Sequence, residues 1–128
     1  MNISINNICN NNCSYCFQST YNNVNEAKYI TLEHYEEILD FLNHTIPEIR
    51  ILGGEPTLHP QIVEIIKLTI EKEYQPILIT NLLIHNKNTL IELSKIKDLV
   101  WFTNGTHSDL TFSLFEENLK FLLDIPDI

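Results

Sequence analysis

Three cysteines carry the chemistry most readily read from this chain. They stand in the run Cys9-Asn-Asn-Asn-Cys13-Ser-Tyr15-Cys16-Phe17, and the 128 residues contain no others. An odd number of thiols cannot pair fully in disulfides, and thiols clustered in a reducing compartment are metal ligands. Three thiolates on one short loop can converge on one face of an iron–sulfur cube. A cube has four irons, so one is left without a protein ligand and open to a substrate or cofactor. Structural zinc, the alternative, needs a fourth ligand. His34, His44, His59, His85 and His107 are the candidates, and none lies near the cysteines in sequence.

A second group follows the apolar run Ile49-Arg50-Ile51-Leu52, namely Gly53-Gly54-Glu55-Pro56. Two glycines at a strand end permit close backbone approach by a ligand, and φ values closed to other residues. Glu55 is then expected to project from the rim where barrel-type α/β folds place their sites. A carboxylate there can take hydrogen bonds from an ammonium group. His59 beside Pro60 reads as helix-start geometry rather than ligation. His107, after a later strand, reads as an exposed loop residue rather than a substrate contact. His34 and His44 are assigned no chemistry.

These residues need a frame, and the sequence punctuates one. Residues 2–6 alternate as a short strand, and 7–30 read as a long polar loop carrying the cysteines. Thr31 is a plausible N-cap for a helix over 32–43, with Leu32, Tyr35, Leu39 and Leu42 on one face. A strand over 49–52 stops at the glycines. Pro60 suits the first turn of the next helix, where Ile62, Ile66 and Ile70 recur at helical spacing. Pro76 opens a strand over 77–80, a short helix covers 88–95, and a fourth strand runs 99–103. Ser113-Leu-Phe-Glu116 has the form of a capping box, predicting the last helix start there, with Phe115, Leu119 and Leu122 as its stripe. Residues 125–128 either begin a fifth strand or fray. Strand–helix alternation of this kind predicts an α/β fold with a parallel sheet and crossover helices.

Charge narrows the partners. Lys and Arg total 8 against 17 Asp and Glu, a net charge of −9. Nucleic acid and anionic membranes call for the opposite sign. Arg50 is the sole arginine, which excludes multi-arginine phosphate clamps. The first residues lack a secretory pattern, and no apolar stretch approaches bilayer length, so a cytoplasmic location is expected.

The string Ile8–Phe17, with an aromatic just before the last cysteine, resembles the signature of the radical S-adenosylmethionine superfamily. Gly53-Gly54-Glu55, starting 37 residues after Cys16, is similar to its glycine-rich motif. The resemblance implies a 4Fe–4S cluster on Cys9, Cys13 and Cys16, with S-adenosylmethionine chelated at the open iron. It implies that Gly53, Gly54 and Glu55 contact the cofactor's amino group. Tyr15 would lie near the adenine through its backbone, or simply pack over the cysteine loop. Asn81 would reach the cofactor, or form an ordinary strand-end turn. Leu82 stands where relatives often carry glycine, which argues against a tight turn.

The implied reaction is reductive cleavage of S-adenosylmethionine, fed by an external electron donor. The resulting 5′-deoxyadenosyl radical abstracts hydrogen from a substrate that is still to be identified. Acidic character leans toward a peptide or protein. The implied fold is a partial (β/α) barrel in one domain over 1–128, with about four of the usual six units. The other half would be truncated, dispensed with, or supplied by a partner chain. A non-catalytic iron–sulfur binding or assembly module stands as an alternative, and a small zinc-binding module as another.

Overall fold

A computed structural model describes residues 1–8, 28–103 and 109–125. Four strands form one sheet: β1 (Asn2–Ser4), β2 (Glu48–Leu52), β3 (Gln75–Ile79) and β4 (Val100–Phe102). Every neighbouring pair is parallel, and the spatial order is the chain order. The crossovers contain helices α1 (Leu32–Leu42), α2 (Ile62–Glu71) and α3 (Lys87–Ser94), and α4 (Asp109–Leu123) follows β4. The predicted fold class is therefore the observed one.

Ladder register sorts the side chains. Ile3, Ile51, Leu78 and Trp101 occupy one row. Ile3, Ile51 and Leu78 join Ile5, Ile49, Tyr35, Leu39, Ile62, Ile65 and Ile66 in the main core. The alternate row holds Asn2, Arg50, Ile77 and Val100. On that face Val100 and Phe102 are 47% and 59% exposed. A second core gathers Leu82, Leu83, Ile84 and Leu90 beneath Phe115 and Leu122 of α4.

Helix ends follow local chemistry. Thr31 Oγ1 accepts the His34 N–H at 3.1 Å, and Asn43 closes α1 in the left-handed region at φ 45°. The last helix departs from expectation, because Ser113 lies one turn inside α4 rather than at its start. Glu116 does not reach back to cap; it pairs with Lys120 at 2.7 Å. An i,i+4 pair has replaced the capping box.

One buried polar bond joins the two helices on the main core. The Thr69 hydroxyl donates to Ile65 O at 2.8 Å, so its oxygen receives the Tyr35 hydroxyl at 2.7 Å. Burial pushes the Tyr35 phenol up to about 12. Tyr35→Phe leaves Thr69 with its backbone partner, so urea denaturation should show a loss of only about 1 kcal/mol. Tyr35→Ala also empties the core position and should cost about 3–5 kcal/mol.

Candidate functional site

Parallel strands deliver all their C-terminal ends to one rim, and Gly53, Gly54, Glu55 and Asn81 lie there. Beyond β1 the chain continues to pair with the tail of β2. Ile5 N–H donates to Leu52 O at 2.8 Å, Gly54 N–H to Asn6 O at 3.1 Å, and Glu55 N–H to Ile8 O. Asn6 Nδ2 adds a bond to Glu55 O at 2.9 Å. The last residue before Cys9 is thus tied directly to the glycine-rich segment.

Gly53 makes that approach possible. A Cβ there would stand 2.2 Å from Asn6 Oδ1 and 2.8 Å from Asn6 O. The expectation that these glycines need unusual φ values is not met, since no described glycine has positive φ. Close packing against Asn6, rather than backbone conformation, is what demands glycine at position 53.

Glu55 does not project outward as expected. It is 1% exposed, and its carboxylate turns inward as the cap of the short 3-10 turn Pro56–Leu58. Oε2 accepts the Thr57 hydroxyl, the Thr57 N–H at 3.2 Å and the Thr80 hydroxyl at 2.6 Å. Oε1 accepts the Asn81 N–H at 2.8 Å, its one bond among the described residues. Burial raises the carboxyl above the usual glutamate range, against the pull of the bonds from Thr57, Thr80 and Asn81. Thr57 and Thr80 escaped sequence reasoning as partners of Glu55. Pro56 at the first helical position was the available signal that residue 55 is an N-cap.

Leu82 overturns the expectation drawn from its missing glycine. It adopts φ 63°, so the turn forms with leucine in the left-handed region. Its N–H donates to Thr80 Oγ1 at 3.0 Å, and Leu83 N–H donates to Asn81 Oδ1 at 2.9 Å. Asn81 therefore makes the strand-end turn that was one of its two readings.

Cys9, Cys13, Tyr15, Cys16 and His107 lie outside the described residues. Among the described residues no His, Cys, Asp and Glu cluster is arranged to hold a metal. Cysteine thiolates are the donor type that suits iron–sulfur chemistry. The rim also suits a polar cofactor. Asn6 Oδ1 and Thr103 Oγ1, just past β1 and β4, are buried without partners among the described residues, and Glu55 Oε1 has capacity for another donor. His59 is buried at the start of α2, as the helix-start reading expected. His44 stacks on Tyr74 with centroids 4.5 Å apart. No described helix is long and apolar enough to cross a membrane.

Fold and rim define an α/β protein with a parallel sheet whose strand ends meet in one rim. A model of the Radical SAM superfamily matches residues 3–128, and the chain belongs to that family. A 4Fe–4S cluster and S-adenosylmethionine are the cofactors that go with it. Over 69 residues the chain is 32% identical to GTP 3',8-cyclase of Shewanella denitrificans, covering 53% of this chain and 20% of the relative. Over 61 residues it is 39% identical to 7-carboxy-7-deazaguanine synthase of Clostridium acetobutylicum, covering 47% and 27%. The crystal structure of Streptococcus suis SuiB bound to S-adenosylmethionine shares the fold with a TM-score of 0.77 at 22% identity. That match covers 94% of this chain and 30% of SuiB. The chain thus spans well under half the length of the proteins it matches.

Two substitutions test the rim. Gly53→Ala must push Asn6 away from β2, and denaturation should show a loss of about 1–3 kcal/mol. Glu55→Gln sets an amide nitrogen against one of two backbone N–H groups that cannot reverse, costing about 1–3 kcal/mol. Its pH dependence is informative as well. With its carboxyl raised, the native chain keeps a proton that the unfolded chain has released, so wild-type stability falls as pH rises through that window. Glu55→Gln lacks this fall, so the stability gap should narrow from the ordinary glutamate range upward.

Proposed function

We propose that the chain is the cluster-bearing part of a radical S-adenosylmethionine enzyme. Cys9, Cys13 and Cys16 ligate a 4Fe–4S cluster and leave one iron for the cofactor. Gly53, Gly54 and Glu55 orient the cofactor's amino group, with Glu55 Oε1 as acceptor, while Tyr15 lies near the adenine through its backbone and Asn81 reaches the cofactor. The observation that carries this reading is the pairing of Asn6 and Ile8 with Gly54 and Glu55, which ties the residues just before Cys9 to the glycine-rich segment. When bound, the reduced cluster supplies the electron for cleavage of the sulfonium to a 5′-deoxyadenosyl radical, which then abstracts hydrogen. The chain's own residues ligate, orient and exclude water.

A peptide or protein is the favoured substrate class. SuiB, which shares the fold, has been crystallised bound to the precursor peptide SuiA. The net charge of −9 suits a substrate of opposite sign. Val100 and Phe102 expose apolar surface on the outermost strand. That surface supports completion of the barrel by further polypeptide, in this chain or a partner chain.

Anaerobic reconstitution tests the core of the proposal. The protein should take up about four irons per chain, and each of Cys9→Ala, Cys13→Ala and Cys16→Ala should impair uptake. S-adenosylmethionine should then perturb the electron paramagnetic resonance spectrum of the reduced cluster. Stoichiometric zinc with no iron incorporation, or an unchanged spectrum in fully loaded protein, would count against it.

A further inference from the structure

We infer that His59 is a positioning residue that holds the far end of the cysteine segment, completing a clamp whose other jaw is Gly54-Glu55. His59 is 3% exposed, and both its ring nitrogens are engaged. Gln61 N–H lies 3.0 Å from Nδ1, and a backbone N–H can only donate. Nδ1 is therefore the acceptor, and the proton of the neutral ring sits on Nε2. Nε2–H donates to Ile30 O at 2.7 Å. Tyr29 meets the ring edge-on with centroids 5.5 Å apart.

Ile30 is held from both sides. Its carbonyl takes the His59 proton, and its N–H donates to Ile5 O at 2.9 Å. The neighbouring residues zip onto β1's tail, with Asn7 N–H donating to Lys28 O at 3.3 Å and Lys28 N–H to Asn7 Oδ1 at 2.8 Å. The flank before Cys9 is held by Gly54 and Glu55, and the flank at 28–30 by His59, four residues further on. One short segment, 54–59, grips both ends of the chain that bears the cysteines. A ligand loop fixed at both ends keeps its thiolates preorganised, which slows loss of the metal they hold.

The two nitrogens can be separated by mutation. Asparagine's Oδ1 takes the place of Nδ1 and keeps the Gln61 bond, but it cannot reach Ile30. Glutamine's Nε2 takes the place of the ring Nε2 and keeps the Ile30 bond. Hydrogen exchange at the Ile30 amide, measured on the metal-free protein, reads the clamp through the adjoining Ile30 N–H to Ile5 O bond, which opens more often once the Ile30 carbonyl is released. H59N should exchange there about tenfold faster than wild type, as loss of one buried hydrogen bond implies, with H59Q within about twofold. The second readout rests on the proposed cluster reading: iron release to a chelator should be faster in H59N and near wild type in H59Q. A helix-start role alone would give the reverse order, because only H59N keeps the Gln61 bond. Wild-type exchange in H59N, or loss of protection in H59Q as complete as in H59N, overturns the clamp. Wild-type protein that takes up no iron would defeat the cluster reading, and the exchange result would still decide the clamp.

Discussion

A carboxylate taken out of water must find donors, and Glu55 finds them in three places at once. Its oxygens collect Thr57 from the turn it caps, Thr80 from the end of β3, and the Asn81 N–H beyond it. Each bond to an ionised acceptor is stronger than its neutral counterpart. Together they fix the end of β2 to the end of β3 through a side chain, where regular ladder bonding has stopped. Its backbone faces the other way, meeting Asn6 and Ile8. Glu55 thus joins the first three strand ends into one rim. The cost is a buried charge, which is why its carboxyl is raised despite so many partners.

The turn after β3 shows a similar balance decided by packing. Leucine in the left-handed region costs roughly 1–2 kcal/mol. Full burial of its side chain is worth about 1.5–3 kcal/mol, and Leu82 is 1% exposed within the second core. Asn118, wholly buried on α4, strengthens the turn by donating to Leu82 O at 2.8 Å and Ile84 O at 3.1 Å. Its Oδ1 accepts the Lys87 ammonium at 3.0 Å. Packing and these bonds outweigh the backbone strain, so α4 is anchored by the segment that glycine would have left loose.

Much of this was legible in the sequence. Alternating apolar runs and helical stripes are local signals, and they located the four strands and α1 to α3 to within a few residues, with the start of α4 and the short turn Pro56–Leu58 the exceptions. The spacing of Cys9, Cys13, Cys16 and Gly53–Glu55 pointed to the family that the match over residues 3–128 establishes. What periodicity cannot reveal is where a polar side chain turns. Glu55 was read as projecting outward from the rim, and its carboxylate instead turns in to Thr57, Thr80 and Asn81. Its partner Thr80 is 25 residues away and shows no local signal. Leu82 misled for a related reason: the stabilising contacts come from Phe115, Leu122 and Asn118, all far along the chain.

The spacing of the glycine-rich segment follows from the geometry of what it grips. Gly53 packs against Asn6 where a Cβ would collide, and Gly54 bonds Asn6 O through its N–H, so both meet β1's tail through main chain alone. Glu55 supplies the first jaw through its backbone N–H and at the same time caps the turn Pro56–Leu58 through its carboxylate. That turn is followed directly by residue 59, whose ring meets the carbonyl of Ile30. Histidine suits the place because one ring both donates across to Ile30 and accepts from Gln61 at the threshold of α2. Proline at 60 removes a backbone donor there without loss, since Gln61 provides the N–H that Nδ1 needs. The run from Gly53 to Gln61 is therefore a single device, in which main-chain groups hold one flank of the cysteines and an imidazole holds the other.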